Sequence, residues 1–527
     1  MTKISTETVP RGGWVAPTSL WGSASALLFV GCLLYLAVVL WMVGPLPGNV
    51  DTFAFKDAAA NLALGRGFTT AFNFGNPTAA ALVYAGHPPA YAFLSGLWFS
   101  LFGVSVASNT WFEELLHVLL IVVLWAAIAP ALAPGRRRLL ALLLVLGLPA
   151  AVSGLAHDRP DVLAVIVAVA ALLPFARRHD TARAALASLL AGLALTVSPL
   201  AGILATLGLM LQWLVAGPER PNLWTMAAIG LVGLLLPMAL VILAVLPIDP
   251  TYPERLLAFL RDGGGAATGQ ENVGAGFVGL LLRDPAELFR KILASFTTLH
   301  HWLNLAVLAA AAGVVFWACL RVSARGRVRA AALAMLALLL FLCLVAFGWN
   351  RGYPTVFAVF LVALYARALP PAERPAWPLA ALALIVLLSA PLTMLGLVHR
   401  ASMAESLQRM ERWLAEHPLP DVTGDGRVTV ALDPAAHLML KARGYDTLVW
   451  WQPSITTEEL LERADAFAIG FTGTGDPLTA AYPDWWNEGL GERLYRPELP
   501  QVPTLFGRPL SRSSKTWEVE IWQARPR

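Results

Sequence analysis

Apolar stretches long enough to cross a bilayer recur through residue 397, and they restrict this chain more than any motif does. A spanning helix needs about 20 predominantly apolar residues. Eleven candidates lie near 22–43, 114–133, 139–156, 161–176, 183–198, 200–216, 225–247, 301–320, 330–348, 354–369 and 377–397. In hydrocarbon, every backbone N–H and C=O must find its partner inside the protein, so runs of this length read as helices. Composition agrees: 57% of residues are hydrophobic and 14% charged, against about 25% charged in soluble domains. Mean hydropathy is +0.64. The net charge is only +4, and the basic residues sit in short loops between apolar runs. That is a topology signal, not a nucleic-acid surface. Cys32, Cys319 and Cys343 each lie inside an apolar run; they read as small buried hydrophobes, with no disulfide framework and no metal spacing. The first run lacks a small-x-small cleavage site and reads as a retained signal anchor.

One further stretch, His87–Gly103 ("HPPAYAFLSGLWFSLFG"), is short and opens with two prolines. If it does not span, the clusters at Arg136–Arg138, Arg177–Arg183, Arg321–Arg329 and Arg367–Arg374 all share the side of the N-terminus. The positive-inside rule makes that side the cytoplasm. His87–Gly103 is therefore expected to lie in the outer leaflet as a juxtamembrane helix. The outer face then collects a first loop (about 44–113), a second loop (about 248–300) and a C-terminal domain (398–527). The expected organisation is a polytopic α-helical membrane domain over 1–397, followed by a small extracytoplasmic α/β domain over 398–527. In the latter, "RVTVAL", "DTLVWW", "DAFAIGF" and "WEVEIWQ" read as strands, with helices at "PAAHLMLKARG" and "TTEELLERA".

Polar groups converge on the outer face. Asp51 follows the first span directly, in "GNVDTFAFKDAAANLALGRGF". An ionisable group at such depth is a functional hypothesis by default, and a helix cap is the alternative. His87 opens the juxtamembrane helix, Asp158, Arg159 and Asp161 lie in "AHDRPDVLA", and Arg351 and Tyr353 lie in "WNRGYP". Lys56 and Tyr84, on the first loop, are further candidates. Each has a plainer reading: Asp161 as ordinary N-terminal helix chemistry, Arg351 as an interfacial snorkel, His87 as an interfacial residue without a task. Together they bring both signs of charge to one level of the membrane. A carboxylate there can take a proton from an attacking hydroxyl, and arginine and histidine can neutralise a departing phosphate.

"GNVDTFAFKDAAANLALGRGFTT" followed by "GHPPAYAFLSGLWFSLFG" resembles the first extracytoplasmic loop of the GT-C glycosyltransferases. Within these it is most similar to the family 39 branch, which includes protein O-mannosyltransferases and the lipid A aminoarabinose transferase. The resemblance is strong over about 45–105 and absent from the C-terminal domain. It implies that Asp51 is the catalytic carboxylate and that His87 is the polar residue before the prolines. It also implies that Asp158 and Arg159 occupy the polar position at the outer end of the third span, and that Arg351 and Tyr353, in a "RY-x-lP"-like segment, contact the donor phosphate. Thr52 stands where many relatives carry a second acidic residue, and Glu113, Glu114 and His117 lie in "TWFEELLHVLL", where relatives often have "RLP".

The expected function is inverting transfer of a sugar from a polyprenyl-phosphate carrier to a cell-envelope acceptor (lipid, glycan or protein) at the outer face of a bacterial inner membrane. The partners are the lipid-linked donor, that acceptor and membrane lipid, with no nucleic acid. No metal ligand is assigned and no cofactor is required by the residues; a divalent metal stays open as an accessory. The alternative is a multi-pass transporter or flippase, although transporters place polar groups near the midplane and here the charges gather at one face. "DVTGDGRVTVAL" has EF-hand spacing from Asp421, but Leu432 stands where a bidentate Glu is needed. A β-turn is the better reading.

Overall fold

The computed structural model describes residues 24–43, 50–70, 82–84, 88–133, 135–156, 159–176, 179–216, 220–262, 286, 290, 299–322, 326–347, 353–369, 376–432, 436–449, 457–470, 489–497, 504–505, 508–509 and 519–525. A helix lies over each of the eleven expected apolar stretches. These are α1 (Ala24–Val43), α4 (Val106–Ile128), α5 (Arg136–Ala156), α6 (Asp161–Phe175), α7 (Thr181–Val197), α8 (Pro199–Val215), α9 (Leu223–Val245), α11 (Leu299–Arg321), α12 (Gly326–Phe347), α13 (Tyr353–Ala368) and α14 (Trp377–Glu416). Among the described residues, Val106–Ala131, Leu223–Val245 and Trp302–Arg321 are long and apolar enough to cross a membrane. Three helices belong to the loops: α2 (Val50–Ala63), α3 (Ala90–Phe102) and α10 (Tyr252–Asp262). The stretch "DPAELFRKILASF" falls almost wholly outside the described residues.

Burial sorts these helices. From Val356 to Tyr365 every residue of α13 is buried, and α6 is buried nearly all round, as expected for helices at the centre of a bundle. In contrast α9 turns Leu231, Val232, Leu235, Leu240 and Leu243 outward. Its inner side meets α7 at glycine: a Cβ added to Gly192 would collide with the Gly233 carbonyl oxygen. Small residues of this kind let membrane helices approach backbone to backbone.

Two boundaries differ from expectation. α4 begins at Val106 instead of near 114, because Ser105 caps it by accepting from the Ser108 N–H at 3.0 Å. Glu113 is thereby drawn inside the helix beside Glu114 and His117, and all three are buried. α14 continues without a break through Pro391 to Glu416, so the division expected at 397 falls inside one helix. Its 40 residues span about 60 Å at 1.5 Å each, enough for a ~30 Å hydrocarbon core and as much again beyond it.

After α14 the chain forms a five-stranded sheet of order β4-β3-β5-β9-β6, from β3 (Thr429–Leu432), β4 (Asp446–Val449), β5 (Ala466–Gly470), β6 (Leu490–Tyr495) and β9 (Val519–Ala524). β4, β3 and β5 run parallel, joined by crossovers that carry α15 (His437–Ala442) and α16 (Thr457–Arg463), while β9 runs antiparallel to both β5 and β6. Four of these strands and both helices coincide with the stretches read from sequence. β6 and the short pairs β1–β2 (Thr69–Thr70, Leu82–Val83) and β7–β8 (Thr504–Leu505, Arg508–Pro509) are additional. Asp465 pins the head of the sheet, its buried carboxylate accepting from the N–H groups of Val422, Thr423 and Thr429 at 2.7–2.8 Å. Asp421 is occupied in the same way, accepting from the Gly424 and Gly426 N–H groups at 2.6 and 2.9 Å, with both glycines at positive φ. That is a self-capped turn, as the turn reading required.

Candidate active site

The site is built on α2, which begins seven residues after α1 ends. The run "FKDAAANLA" has strong helix formers and small residues; Ala58, Ala59 and Ala60 are fully buried, so neighbours approach the helix axis closely. Gly65, at φ 74°, ends it in the left-handed conformation, and the Arg66 N–H returns to the Asn61 carbonyl at 2.9 Å. Asp51 is the second residue of α2, within the turn where the helix dipole favours a carboxylate.

α3 packs across α2 at Gly96, where an added Cβ would lie 2.8 Å from Leu62 Cδ2 and 3.3 Å from the Ala59 Cα. It opens after Pro88 and Pro89 and stops at Gly103, φ 82°. One face, Tyr91, Ala92, Ser95, Gly96 and Phe99, is buried, while Phe93, Leu94, Leu97 and Leu101 are exposed. This two-sidedness is that of a helix lying along an apolar surface.

Two consecutive residues of α2, opposite in charge, anchor it. Lys56 is fully buried and its ammonium donates to Glu113 Oε1 on α4 at 2.8 Å and to Ser95 Oγ on α3 at 2.9 Å. It also lies over the rings of Tyr91 and Phe112, at 4.3 and 4.4 Å. Tyr91 completes the set by donating its hydroxyl to Glu113 Oε1 at 2.6 Å. Beside it on α4, Glu114 meets His117 at 3.0 Å and accepts from the Tyr35 hydroxyl at 3.2 Å. Asp57 is held in turn by α15 of the C-terminal sheet: Lys441 donates to Oδ1, His437 Nε2 lies 3.2 Å from Oδ1, and Thr70 donates to Oδ2 at 2.7 Å. Burial would raise the Asp57 pKa, but the Lys441 ammonium and the contacts from His437 and Lys441 outweigh it and hold the carboxyl far below the usual carboxylate range. Burial pushes His437 below its ordinary value despite Asp57, so the imidazole is neutral near pH 7.

The second loop reaches the first through Arg255 on α10. Its guanidinium donates to the Val83 carbonyl at 2.9 Å and pairs with Asp249. Tyr84 and Tyr252 are fully buried beside this pair, and neither hydroxyl has a hydrogen-bond partner among the described residues. Burial raises both pKa values, that of Tyr252 to about 12, so both remain proton donors.

Of the residues singled out from sequence, Lys56, Tyr84, Arg159 and Asp161 have described side chains. Arg159 Nε donates to Asp161 Oδ2 at 2.8 Å, so these two are brought together. Lys56 is committed to Glu113, and Tyr84 is sealed beside α10. His87, Asp158 and Arg351 lie outside the described residues, as do the side chains of Asp51 and Tyr353. The sequence reading missed Asp57, His437 and Lys441. One local signal was available: His437 and Lys441 are four apart on a helix, hence on one face. Their partner lies in another part of the chain. Among the described residues, no three of His, Cys, Asp and Glu come together as metal ligands.

No protein-family profile matches the chain, and no curated protein matches it by sequence. Solved structures do match by shape. ArnT from Cupriavidus metallidurans, bound to undecaprenyl phosphate, superposes with a TM-score of 0.52 at 14% identity, over 96% of this chain and 98% of its own. The oligosaccharyltransferase of Archaeoglobus fulgidus gives 0.48 at 13% identity, over 85% of this chain and 69% of its own. The mycobacterial arabinofuranosyltransferase AftD gives 0.47 at 17% identity, over 94% of this chain and 41% of its own. At 14% identity the likeness to ArnT is one of fold: the chain shares that protein's overall fold.

Proposed function

We propose that this protein transfers a sugar from a polyprenyl-phosphate carrier to a cell-envelope acceptor at the outer face of the membrane, with inversion at the anomeric carbon. In this reading residues 1–397 form the catalytic transmembrane domain, with the N-terminus and the basic loops in the cytoplasm, and the C-terminal sheet is extracytoplasmic. Asp51 takes the proton of the acceptor hydroxyl as its oxygen attacks the anomeric carbon. The bond from that carbon to the phosphate oxygen breaks, and the polyprenyl phosphate leaves with the electron pair. Tyr353 donates a hydrogen bond to the phosphate, and His87, Arg159 and Arg351 neutralise the charge that gathers on it. Asp158 and Asp161 orient these cations, and Arg159 already answers Asp161.

The observation that carries the reading is the anchorage of α2. A general base contributes only if it is held within hydrogen-bond reach of its proton. Asp51 stands at the start of a helix whose next turn is fixed by the sealed Lys56–Glu113 pair at 2.8 Å. The full-length likeness in fold to a protein bound to undecaprenyl phosphate supports a lipid-linked donor. The test uses purified protein in lipid nanodiscs with a panel of radiolabelled polyprenyl-phosphate sugars and a cell-envelope extract. Labelled acceptor with inverted anomeric configuration, and matching release of polyprenyl phosphate, is the expected result. Movement of intact donor across sealed vesicles without its cleavage would replace the reading with a flippase.

A further inference from the structure

We infer that the C-terminal sheet is a positioning element for the catalytic helix, acting through a buried junction of Asp57 with His437 and Lys441. This rests on the reading of Asp51 as the general base. Asp57 lies six residues beyond Asp51 on α2, about 9 Å along the axis and about 240° around it, so a grip on Asp57 sets the rotation at which Asp51 is presented. All the parties are buried: Asp57 is 2% exposed, His437 0%, Lys441 6% and Thr70 1%. Leu438, between the two polar residues of α15, packs with Ala59 and Ala60 of α2 and with Phe99 of α3. At the rim, Arg66 pairs with Asp446 of β4 at 3.1 Å.

The arrangement constrains α2 from two sides. Lys56 reaches the helix bundle at Glu113, and Asp57, the next residue, reaches the C-terminal sheet at α15. Turning α2 about its axis would break one buried charge pair or the other. Apolar packing would hold the helix against the sheet without choosing its rotation; a buried charge cluster accepts only the geometry that satisfies it. α15 connects β3 to β4, and His437 Nδ1 contacts Thr447 of β4 at 3.1 Å. A displacement of the sheet therefore reaches α2 through hydrogen-bonded contacts.

The experiment compares Lys441→Met, Lys441→Arg, Asp57→Asn and the double variant Asp57→Asn/Lys441→Met, all as full chains in nanodiscs. Backbone hydrogen exchange of α2 and donor turnover are both measured. Lys441→Met is expected to raise α2 exchange at least tenfold and to lower kcat at least tenfold, with the KM for the donor within threefold of wild type. Lys441→Arg should recover most of both, and the double variant should be no worse than the poorer single. Unchanged α2 exchange in Lys441→Met overturns the junction. A loss that appears in KM, or that Lys441→Arg does not repair, overturns the positioning role in favour of a structural one. If wild type turns over no donor, the transferase reading fails and the catalytic role with it, while α2 exchange still decides whether the junction exists. Should Lys441→Met not fold, Asp57→Asn, which keeps the side chain's size and removes only its charge, supplies the milder test: α2 exchange at wild-type level in that variant overturns the proposal.

Discussion

Replacing Glu113 with Gln should loosen α2 more than any exposed substitution on it, and the extent follows from what surrounds Lys56. The ammonium has 0% side-chain exposure and Glu113 has 2%. Removing one partner of a buried pair costs about 3–5 kcal/mol, because the other charge is left uncompensated. Here Ser95 Oγ at 2.9 Å and two ring faces at 4.3 and 4.4 Å remain, and the glutamine amide oxygen still accepts. Those contacts offset about 1 kcal/mol, leaving a loss of about 2–4 kcal/mol, or roughly 30- to 900-fold in a local opening equilibrium. Lys56→Met with Glu113→Gln removes both charges, and a pair exchanged for neutral side chains of similar volume is close to neutral in stability. The double variant should therefore return to within about 1 kcal/mol of wild type, a coupling of at least about 2 kcal/mol. Hydrogen exchange of the α2 amides in nanodiscs reads this directly. Protection within threefold of wild type in Glu113→Gln, or additive losses in the double variant, would show that the Lys56–Glu113 pair does not hold α2.

Other consequences are smaller in scope. Gly192→Val should separate α7 from α9, since even a Cβ there would collide with the Gly233 carbonyl; overpacking of this kind costs about 1–3 kcal/mol or more, and a lowered temperature of inactivation in detergent would register it. Asp465→Ala should destabilise the C-terminal sheet by about 3 kcal/mol or more, since three backbone N–H groups lose a charged acceptor, measurable as faster exchange in β3 and β5. The α2–α15 junction should weaken below neutral pH because of His437, whose pKa is lowered in the fold. Its contribution is complete above the unfolded value of about 6.5 and is lost as pH falls from there through its folded pKa. Asp57, also lowered, keeps its charge over that range. The protection of the α15 amides, with intrinsic exchange rates divided out at each pH, should fall between pH 7.5 and 5.5, and His437→Gln should remove the slope.

The helices were legible because lipid imposes a length and a composition that survive without tertiary information; each apolar stretch became a helix. The helix α3 was legible from the two prolines that open it and the apolar run that follows. What escaped was pairing at long range. Asp57 reads locally as a charge in an alanine-rich helix, and only the approach of α15, 384 positions away, makes it a junction. Similarly, Glu113 and Glu114 are out of place in an apolar helix until Lys56 and His117 answer them. β6 was missed because "LGERLY" carries charge and none of its six residues is buried; its place comes from pairing with β9. The end of α14 was misjudged because hydropathy stops at the membrane surface, while helix propensity in "ASMAESLQRMERWLAE" does not.

In the proposed reaction Asp51 is the base of a glycosyl transfer from a lipid-phosphate donor. The most direct test compares wild type and Asp51→Asn for release of polyprenyl phosphate, with α2 exchange recorded on the same samples. Turnover by wild type that falls at least a hundredfold in Asp51→Asn, with α2 protection unchanged, is the predicted result. Equal turnover by both proteins would contradict it and remove Asp51 from the chemistry.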